Sequence, residues 1–318
     1  MKSQSVTAPS LTKKRYTFFT DVRRKRFSYL LILPALLYVL VFSYLSYPYM
    51  IIAFKNFNYK LGVFGSEWCG FKNFEFFLKS TNAPTVIRNT LVLNLLFIVT
   101  GTLTSLVLAI LLNELRSRVF VRTAQTMMLF PHYISWVVVS YILLAIFSNK
   151  NGLANQLLNA LGMKSVSWYT KADVWPTILV WMKIWKSAGM NAVIYLAAIT
   201  GIDESIYESA TIDGANRFQR IVSITVPLIM PTVCIMTLLA VGKIMNGDFG
   251  MIYALVGDQG ILYETTDVID TYVYRVLRQT GDPSQSMAIG LFQSLIGLVM
   301  VVGSNWIVKH TFHEGALF

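Results

Sequence analysis

Six apolar stretches, each about as long as a bilayer crossing, constrain the fold of this chain more than any other feature. A helix that crosses lipid needs about 20 mainly apolar residues, because its backbone polar groups must be satisfied within the segment. The stretches are residues 29–53, 89–112, 124–147, 175–199, 221–245 and 287–308. Since 55% of the residues are hydrophobic and 14% are charged, we predict an all-α integral membrane protein with about six transmembrane helices.

Basic residues predict the orientation of these helices, because cytoplasmic loops are enriched in lysine and arginine. The short connections 113–123 and 200–220 carry five arginines, and a further basic cluster precedes the first apolar stretch. We therefore expect a basic cytoplasmic segment at 1–28, a transmembrane domain at 29–308 and a cytoplasmic tail at 309–318. The longer connections 55–85, 148–173 and 246–286 are predicted to lie outside, and none is long enough for a soluble domain.

The net charge of +11 is better explained by the membrane than by nucleic acid. Its cluster at residues 13–26 borders an apolar stretch, where basic side chains fix orientation and meet anionic lipid. The first apolar stretch is longer than the core of a signal peptide, and no A-x-A-like site follows it. We predict an uncleaved first span and no binding of nucleic acid.

Motifs for catalysis, nucleotide binding and metal binding are missing from the sequence. There is no G-x-x-x-x-G-K-[ST], H-E-x-x-H, C-x-x-C or G-x-S-x-G, and the three histidines, His132, His310 and His313, are scattered. The chain is therefore expected to have no catalytic residues, no metal site and no cofactor of its own. An intramembrane enzyme would have to assemble its site entirely from tertiary contacts.

A short polar segment separates the fourth and fifth apolar stretches. Ser205 and Glu208 have the spacing of a capping box, which predicts a helix of about two turns as far as Asp213. Gly214 suits the left-handed turn that ends such a helix. This helix is too short and polar to cross lipid, so it is either a docking element for another protein or a simple connector.

The sequence of this segment, YESATIDGANRFQRIVSITVPLIMP at 207–231, resembles the EAA loop in permease subunits of binding-protein-dependent ABC importers. Glu208, Ala210, Asp213, Gly214 and Ala215 match the pattern, and Ser209 replaces an alanine. The preceding segment WKSAGMNAVIYLAAITGIDESIYESA and the segments EWCGFKNFEFF and RNTLVLN resemble the polysaccharide and complex-oligosaccharide permeases of that family. The resemblance extends from about residue 24 to residue 231.

The resemblance implies a type I ABC importer permease fold with a cytoplasmic EAA coupling helix in about residues 200–220. In that family the coupling helix sits in a groove of a separate ATPase subunit. Glu208 would make the polar contact, Gly214 would permit the turn, and Ser209, Ala210, Asp213 and Ala215 would complete the surface. ATP and magnesium would then be bound by the ATPase rather than by this chain.

The resemblance also implies an assembly. It consists of a second homologous permease subunit, two ATPase subunits and an extracytoplasmic solute-binding protein, placed in a bacterial plasma (inner) membrane with both termini of this chain in the cytoplasm. Amino-acid and phosphate importers carry EAA loops as well, so a permease for another small solute is an alternative to an oligosaccharide permease. A membrane receptor or scaffold that transports nothing is a third interpretation.

Polar side chains within the apolar stretches are candidates for the solute pathway. Charges inside the bilayer usually face a cavity or a partner, because exposure to lipid costs about 2.5–3.5 kcal/mol on insertion scales. Aromatic residues beside polar ones suit carbohydrate, although tryptophans also line membrane interfaces. The candidates are Lys183, Lys186, Trp181, Trp185, Asn191 and Asn246. Lysines in the pathway would favour an acidic, uronate-type oligosaccharide.

Overall fold

The computed structural model describes residues 25–149 and 151–311, and most of these residues lie in helices. The α-helices are α1 Arg26–Phe42, α2 Gly62–Gly65, α3 Lys72–Leu78, α4 Ala83–Glu114, α5 Arg118–Tyr133, α6 Trp136–Phe147, α7 Leu153–Ala160, α8 Trp175–Thr200, α9 Glu204–Ile212, α10 Arg217–Arg220, α11 Val226–Val241, α12 Phe249–Val256, α13 Tyr263–Thr266, α14 Ile269–Thr280 and α15 Pro283–Thr311. Shorter 3₁₀-helices lie at Tyr44–Phe54, Trp168–Thr170, Ala172–Val174 and Gly260–Leu262, and a π-helical turn lies at Ile221–Thr225. Two short strands, β1 Lys55–Asn56 and β2 Glu67–Trp68, pair antiparallel.

The described residues divide into two compact units, 25–51 and 52–311. In the first unit, α1 leads into the 3₁₀-helix Tyr44–Phe54, and no residue of α1 is buried. A helix that is apolar on every side and exposed along its length is suited to lipid rather than to water. This is the helix expected for the first apolar stretch.

Four of the six predicted stretches form helices that are long and apolar enough to span a membrane. These are Arg26–Phe54, Ala83–Glu114, Arg217–Val241 and Pro283–His310. With a rise of about 1.5 Å per residue, even the shortest of the four exceeds the hydrocarbon thickness of about 30 Å.

The prediction of one continuous helix at 124–147 is wrong. The structure divides this stretch into α5 and α6, which meet at an angle of 96°. Ile134 and Ser135 between them are extended, and the hydroxyl of Ser135 accepts a hydrogen bond from the Val138 amide to begin α6. The two halves together count as a fifth span only if the bent pair is taken as one crossing.

The fourth predicted stretch forms one unbroken helix, α8, of 26 residues. It is long enough to span the bilayer, but it carries Lys183, Lys186 and Asn191 and is not among the helices with sufficient apolar character. By length and composition the described residues thus provide four or five spans, where the sequence predicted six.

Helices α4 and α8 form the centre of the second unit and run in the same direction. Leu93 of α4 shares a buried cluster with Leu179 of α8, and Ala109 further along α4 shares another with Leu196. Parallel neighbours require the chain to return between them, and α5 and α6 provide that return. The arrangement leaves one side of α4 and α8 free to face α11.

Candidate functional site

The polar helix α9 has its N-cap at Asp203, two residues before the Ser205 N-cap of the predicted capping box. The Asp203 carboxylate accepts a hydrogen bond from the Ser205 amide at 3.0 Å, and Asp203 itself is extended. This backbone hydrogen bond is the main reason that the pKa of Asp203 lies below its usual value. The predicted Ser205–Glu208 box is therefore wrong, because Ser205 already lies inside the helix.

A reciprocal capping box does occur a few residues later, at the start of α10. The Asn216 side chain accepts from the Gln219 amide at 2.9 Å, while the Gln219 side chain accepts from the Asn216 amide at 2.8 Å. Between the two helices Gly214 has a φ of +82°, as the sequence predicted for a left-handed turn. The Ala215 amide then bonds back to the Ala210 carbonyl at 2.9 Å.

Two side-chain contacts tie α9 to the base of α11. The hydroxyls of Tyr207 and Thr225 are 2.9 Å apart, and Thr225 is buried. The Arg220 guanidinium donates to the Thr211 hydroxyl at 3.0 Å. Both contacts reach the π-helical turn or Arg220 just before it, so they join α9 to the start of α11.

The predicted coupling residues form one exposed surface around the end of α9. Glu208, Ser209, Asp213 and Gly214 are exposed, and Ala210 and Ala215 are half-buried. A hollow of about 320 Å³ beside them is lined by Asp213, Gly214, Ala215, Gln219, Arg220, Ser223 and Ile224. Two apolar side chains of the same segment that sequence reasoning missed, Ile212 and Phe218, are 86% and 73% exposed.

A second site is an open cavity of about 580 Å³ between α4, α8, α11 and the segment that follows α11. Of the predicted pathway residues, Lys183, Asn191 and Asn246 line it. Its other polar lining residues are Asn94, Thr102, Tyr195, Lys243 and Asp248. Asn94 and Thr102 were missed because α4 carries them as isolated polar residues with no motif around them.

The predicted tryptophans lie outside this cavity. Trp181 lines a separate, mainly apolar groove together with Phe147 and Trp168, and Trp185 is 42% exposed. Both belong to α8, but neither is on the face that borders the cavity.

Lys183 is neutralised where it borders the cavity. Its Nζ lies 2.7 Å from Oδ2 of Asp248, and both side chains are partly exposed. The other carboxylate oxygen of Asp248 accepts from the Met251 amide at 3.0 Å and caps α12. The ion pair therefore fixes the start of α12 against α8.

Lys186 lies at the break between α5 and α6, away from the cavity. Its ammonium is buried and donates to the carbonyl oxygens of Pro131, His132 and Ile134, and it lies 5.2 Å from the centre of the Trp136 ring. The ends of α-helices leave carbonyl groups without intrahelical partners. Lys186 supplies those partners for α5.

Lys243 gives the cavity a net positive charge. It is exposed on the cavity wall, and no described residue within ion-pairing distance neutralises it. Counting the charged lining residues, Lys183 and Lys243 give +2 and Asp248 gives −1, so the cavity carries +1. Among the described residues there is no group of three or more metal-binding side chains.

The family model described as binding-protein-dependent transport system inner membrane component matches residues 101–312. Protein LplB of Bacillus subtilis (strain 168) is 36% identical over 309 residues, which cover 97% of this chain and 96% of that protein. The polygalacturonan/rhamnogalacturonan transport system permease protein YteP of the same strain is 32% identical over 324 residues, or 99% of each chain.

Two solved structures share the fold over nearly the whole chain. One is a bacterial ABC transporter involved in the import of the acidic polysaccharide alginate, with a TM-score of 0.84, 32% identity, and coverage of 92% of this chain and 99% of that one. The other is a bacterial alginate ABC transporter in complex with an alginate pentasaccharide-bound periplasmic protein, with the same TM-score and identity and coverage of 92% and 98%.

Proposed function

This chain belongs to the family of inner-membrane components of binding-protein-dependent transport systems, and from that premise we propose that it forms half of the path by which an acidic oligosaccharide enters the cell. It is the permease of an oligosaccharide ABC importer, and the ATPase is a separate subunit. Our proposals concern the charge of the solute, the role of α9 and the set of partners.

The unpaired lysine of the cavity is the observation that carries the proposal of an acidic solute. Lys183 is held by Asp248 and Lys186 by backbone carbonyls, so Lys243 is the lysine available to a sugar carboxylate. Asn191, Asn246 and Tyr195 provide amides and a hydroxyl for the sugar hydroxyls. The volume of about 580 Å³ lies within the range of about 300–1,000 Å³ that small-molecule sites occupy.

The relatives support the same solute class. The names of two of them refer to polygalacturonan and to alginate, and both polymers consist of uronic acids. The sequence indicated lysines in the pathway without distinguishing them, and the lack of an ion-pair partner among the described residues supports Lys243 as the one that meets the sugar carboxylate.

We propose that α9 is the coupling helix, gripped by an ATPase subunit through Glu208, Ser209, Ala210, Asp213, Gly214 and Ala215. Ile212 and Phe218 would add apolar contact at its edge. Shifting the populations of two transporter conformations from 1:99 to 99:1 takes about 5.5 kcal/mol of differential binding. A surface salt bridge supplies about 0–1 kcal/mol. Glu208 alone is insufficient, and the closure of the ATPase must act through the whole packed surface.

The route from this helix to the cavity is short. The Tyr207–Thr225 and Arg220–Thr211 contacts tie α9 to the π-helical turn, and α11 continues from that turn. Met236, Leu239 and Ala240 of α11 line the cavity. Closure of the ATPase subunits, with ATP and magnesium bound to them, would therefore tilt a cavity wall.

The proposed assembly contains a second homologous permease, two ATPase subunits and an extracytoplasmic solute-binding protein in the inner membrane. Both termini of this chain would lie in the cytoplasm. The periplasmic protein that accompanies one of the solved relatives supports the last of these partners.

The test uses the complete transporter in proteoliposomes, with its solute-binding protein loaded with galacturonate or alginate tetrasaccharides or with neutral tetrasaccharides. We expect uptake and ATPase stimulation with the acidic glycans. Lys243→Gln should lower acidic uptake about fivefold to tenfold, the loss of one charge-assisted contact, and Lys243→Arg should retain most of it. Stimulation by neutral glycans and none by uronates would overturn the proposal.

A further inference from the structure

A three-ring aromatic cluster connects the central cavity to a second cleft in the connection 246–286. The cluster consists of Phe249, Tyr253 and Tyr274, whose ring centres are 5.0–5.2 Å apart. Phe249 lines the central cavity, whereas Tyr253 and Tyr274 line a gap of about 10 Å³ that shares residues with the second cleft. The cluster thus forms a wall shared by the two sites.

The second cleft has a volume of about 460 Å³ and is lined by Asp258, Tyr263, Arg275, Arg278 and Gln279. Asp258, Tyr263 and Arg275 also line a gap of about 10 Å³ beside Tyr253 and Tyr274, so the cleft borders the aromatic cluster. We refer to these five residues as the arginine cleft.

The arginine cleft offers planar polar groups beside aromatic rings. Arg278 donates to Asp258 at 2.7 Å, and both side chains are more than half exposed. Arg275 pairs with the buried Asp267 and lies 4.2 Å from the centre of the Tyr263 ring. Arginine, aspartate and glutamine side chains bind adjacent hydroxyl groups in pairs, while aromatic rings cover the C–H faces of pyranose rings.

The aromatic cluster is where α12 meets α14, because the buried residues of the two helices belong to different hydrophobic clusters. The buried face of α12 is formed by Met251, Ile252, Leu255 and Val256, and that of α14 by Ile269, Thr271, Tyr272 and Val276. Phe249 and Tyr253 lie four residues apart along the edge of the buried face of α12, and Tyr274 and Arg278 repeat that spacing on α14. Two helices therefore direct aromatic and charged side chains to one partly exposed place.

We propose that the arginine cleft and the aromatic cluster form a second saccharide-binding site, which receives one end of the oligosaccharide before it enters the central cavity. This inference rests on the proposed function, because it assumes that the solute is a saccharide. Because the ion pairs balance the charge of the cleft, the cleft would bind the rings and hydroxyl groups of the saccharide. The preference for an acidic saccharide would come from Lys243 in the central cavity. The site lies on the side of the chain that we assign to the outside.

The experiment compares Tyr274→Leu, which removes the ring, with Tyr274→Phe, which keeps it, in the complete reconstituted transporter supplied with tetragalacturonate on its solute-binding protein. Tyr274→Leu should lower the sugar moved per ATP about fivefold to tenfold, and Tyr274→Phe less than about twofold. Arg278→Gln should lower it in the same way. Tyr44→Leu, at an exposed tyrosine of the first unit, serves as the control.

A direct measurement keeps the test independent of transport. Saturation-transfer NMR with tetragalacturonate on the detergent-solubilised complex, without the solute-binding protein, should detect binding that Tyr274→Leu abolishes and Tyr274→Phe preserves. Equal behaviour of these two variants in both measurements would overturn the site.

The other outcomes are distinguishable. If the variants change only the concentration of solute-binding protein needed for half-maximal ATPase stimulation, the cleft is a protein docking surface and the saccharide site is wrong. If the unaltered transporter moves no oligosaccharide, the proposed function itself has failed.

Discussion

Gly189 of α8 lies close to the backbone of α5 at Met128. A Cβ atom at this position would lie 2.1 Å from the Met128 carbonyl oxygen, a contact with backbone that cannot rotate away. Small residues permit this kind of approach between helices in lipid, where dispersion contacts are a main source of association. The glycine therefore fixes the position of α5 against α8.

Gly189→Ala should destabilise the protein by about 1–3 kcal/mol, the usual cost of overpacking. The measurement is thermal unfolding of the purified transporter in detergent. Gly290→Ala in α15 is the matched control, because a Cβ there meets nothing within 4 Å. It should be neutral or stabilising, and an equal loss in both variants would contradict the interpretation.

Lys186, like Gly189, stabilises the backbone of α5 rather than binding solute, because its ammonium donates to backbone carbonyls. Lys186→Met should leave the carbonyls of His132 and Ile134 without their Lys186 partner, at a cost of about 1–3 kcal/mol for each buried polar group left unpaired. The same thermal unfolding assay measures it. Lys183→Met, which breaks a partly exposed ion pair, should cost less, and the reverse order would refute this role for Lys186.

At the scale of the element, the contact between Tyr207 and Thr225 is the proposed coupling route from α9 to α11. Thr225→Val keeps the shape of the side chain and removes its hydroxyl, so the contact with Tyr207 is lost. We expect sugar transported per ATP hydrolysed to fall several-fold while ATP hydrolysis continues. Uptake and hydrolysis measured together in proteoliposomes report this ratio.

A double-mutant cycle tests whether the hydroxyls of Tyr207 and Thr225 act through their shared hydrogen bond. Tyr207→Phe removes the same hydrogen bond from the other side, so the double variant should be no worse than either single one. Additive losses would show that the two hydroxyls act separately.

The sequence predicted elements better than it predicted their ends and breaks. Apolar length located four spanning helices, and Gly214 located a turn, because both signals are local. The break at residues 134–135 was missed since the apolar pattern continues through it and its stabilising ammonium is 52 residues away. Ser205 and Glu208 fitted a capping box by spacing, but Asp203 provided the better acceptor.

The same distinction applies to the candidate sites. The coupling residues form a single surface because they lie within one short segment, where the family pattern is informative. The cavity depends on three helices that meet only in the folded chain, and the partner of Lys183 is 65 residues away. No sequence pattern could show that this lysine is paired and that Lys243 is not.

At the scale of the whole molecule, the apolar helices remain largely uncovered by the chain itself. No residue in the apolar window of Arg26–Phe54 is buried, and the windows of the other three spanning helices are mostly exposed as well. Such surfaces are stable only against lipid or another apolar surface. The predicted fold class, an all-α membrane permease, is confirmed by the family match and by the solved relatives.

Orientation in the membrane is a prediction at this scale. In a Cys69→Ser and Cys234→Ala background, Glu208→Cys should react with a membrane-impermeant maleimide only after the cells are permeabilised. Gln279→Cys, in the connection assigned to the outside, should react in intact cells. The opposite pattern would place α9 on the wrong side for an ATPase and contradict the coupling proposal.

The ammonium of Lys186 has a consequence for biogenesis. Ribosomes add about 5–20 residues per second, so the carbonyl of Ile134 precedes its partner, 52 residues later, by about 3–10 s. Stalled nascent chains that end before Lys186 should expose the 134–135 break to protease, and longer ones should protect it. Until that lysine is synthesised, the insertion machinery rather than the protein must shelter this stretch of backbone.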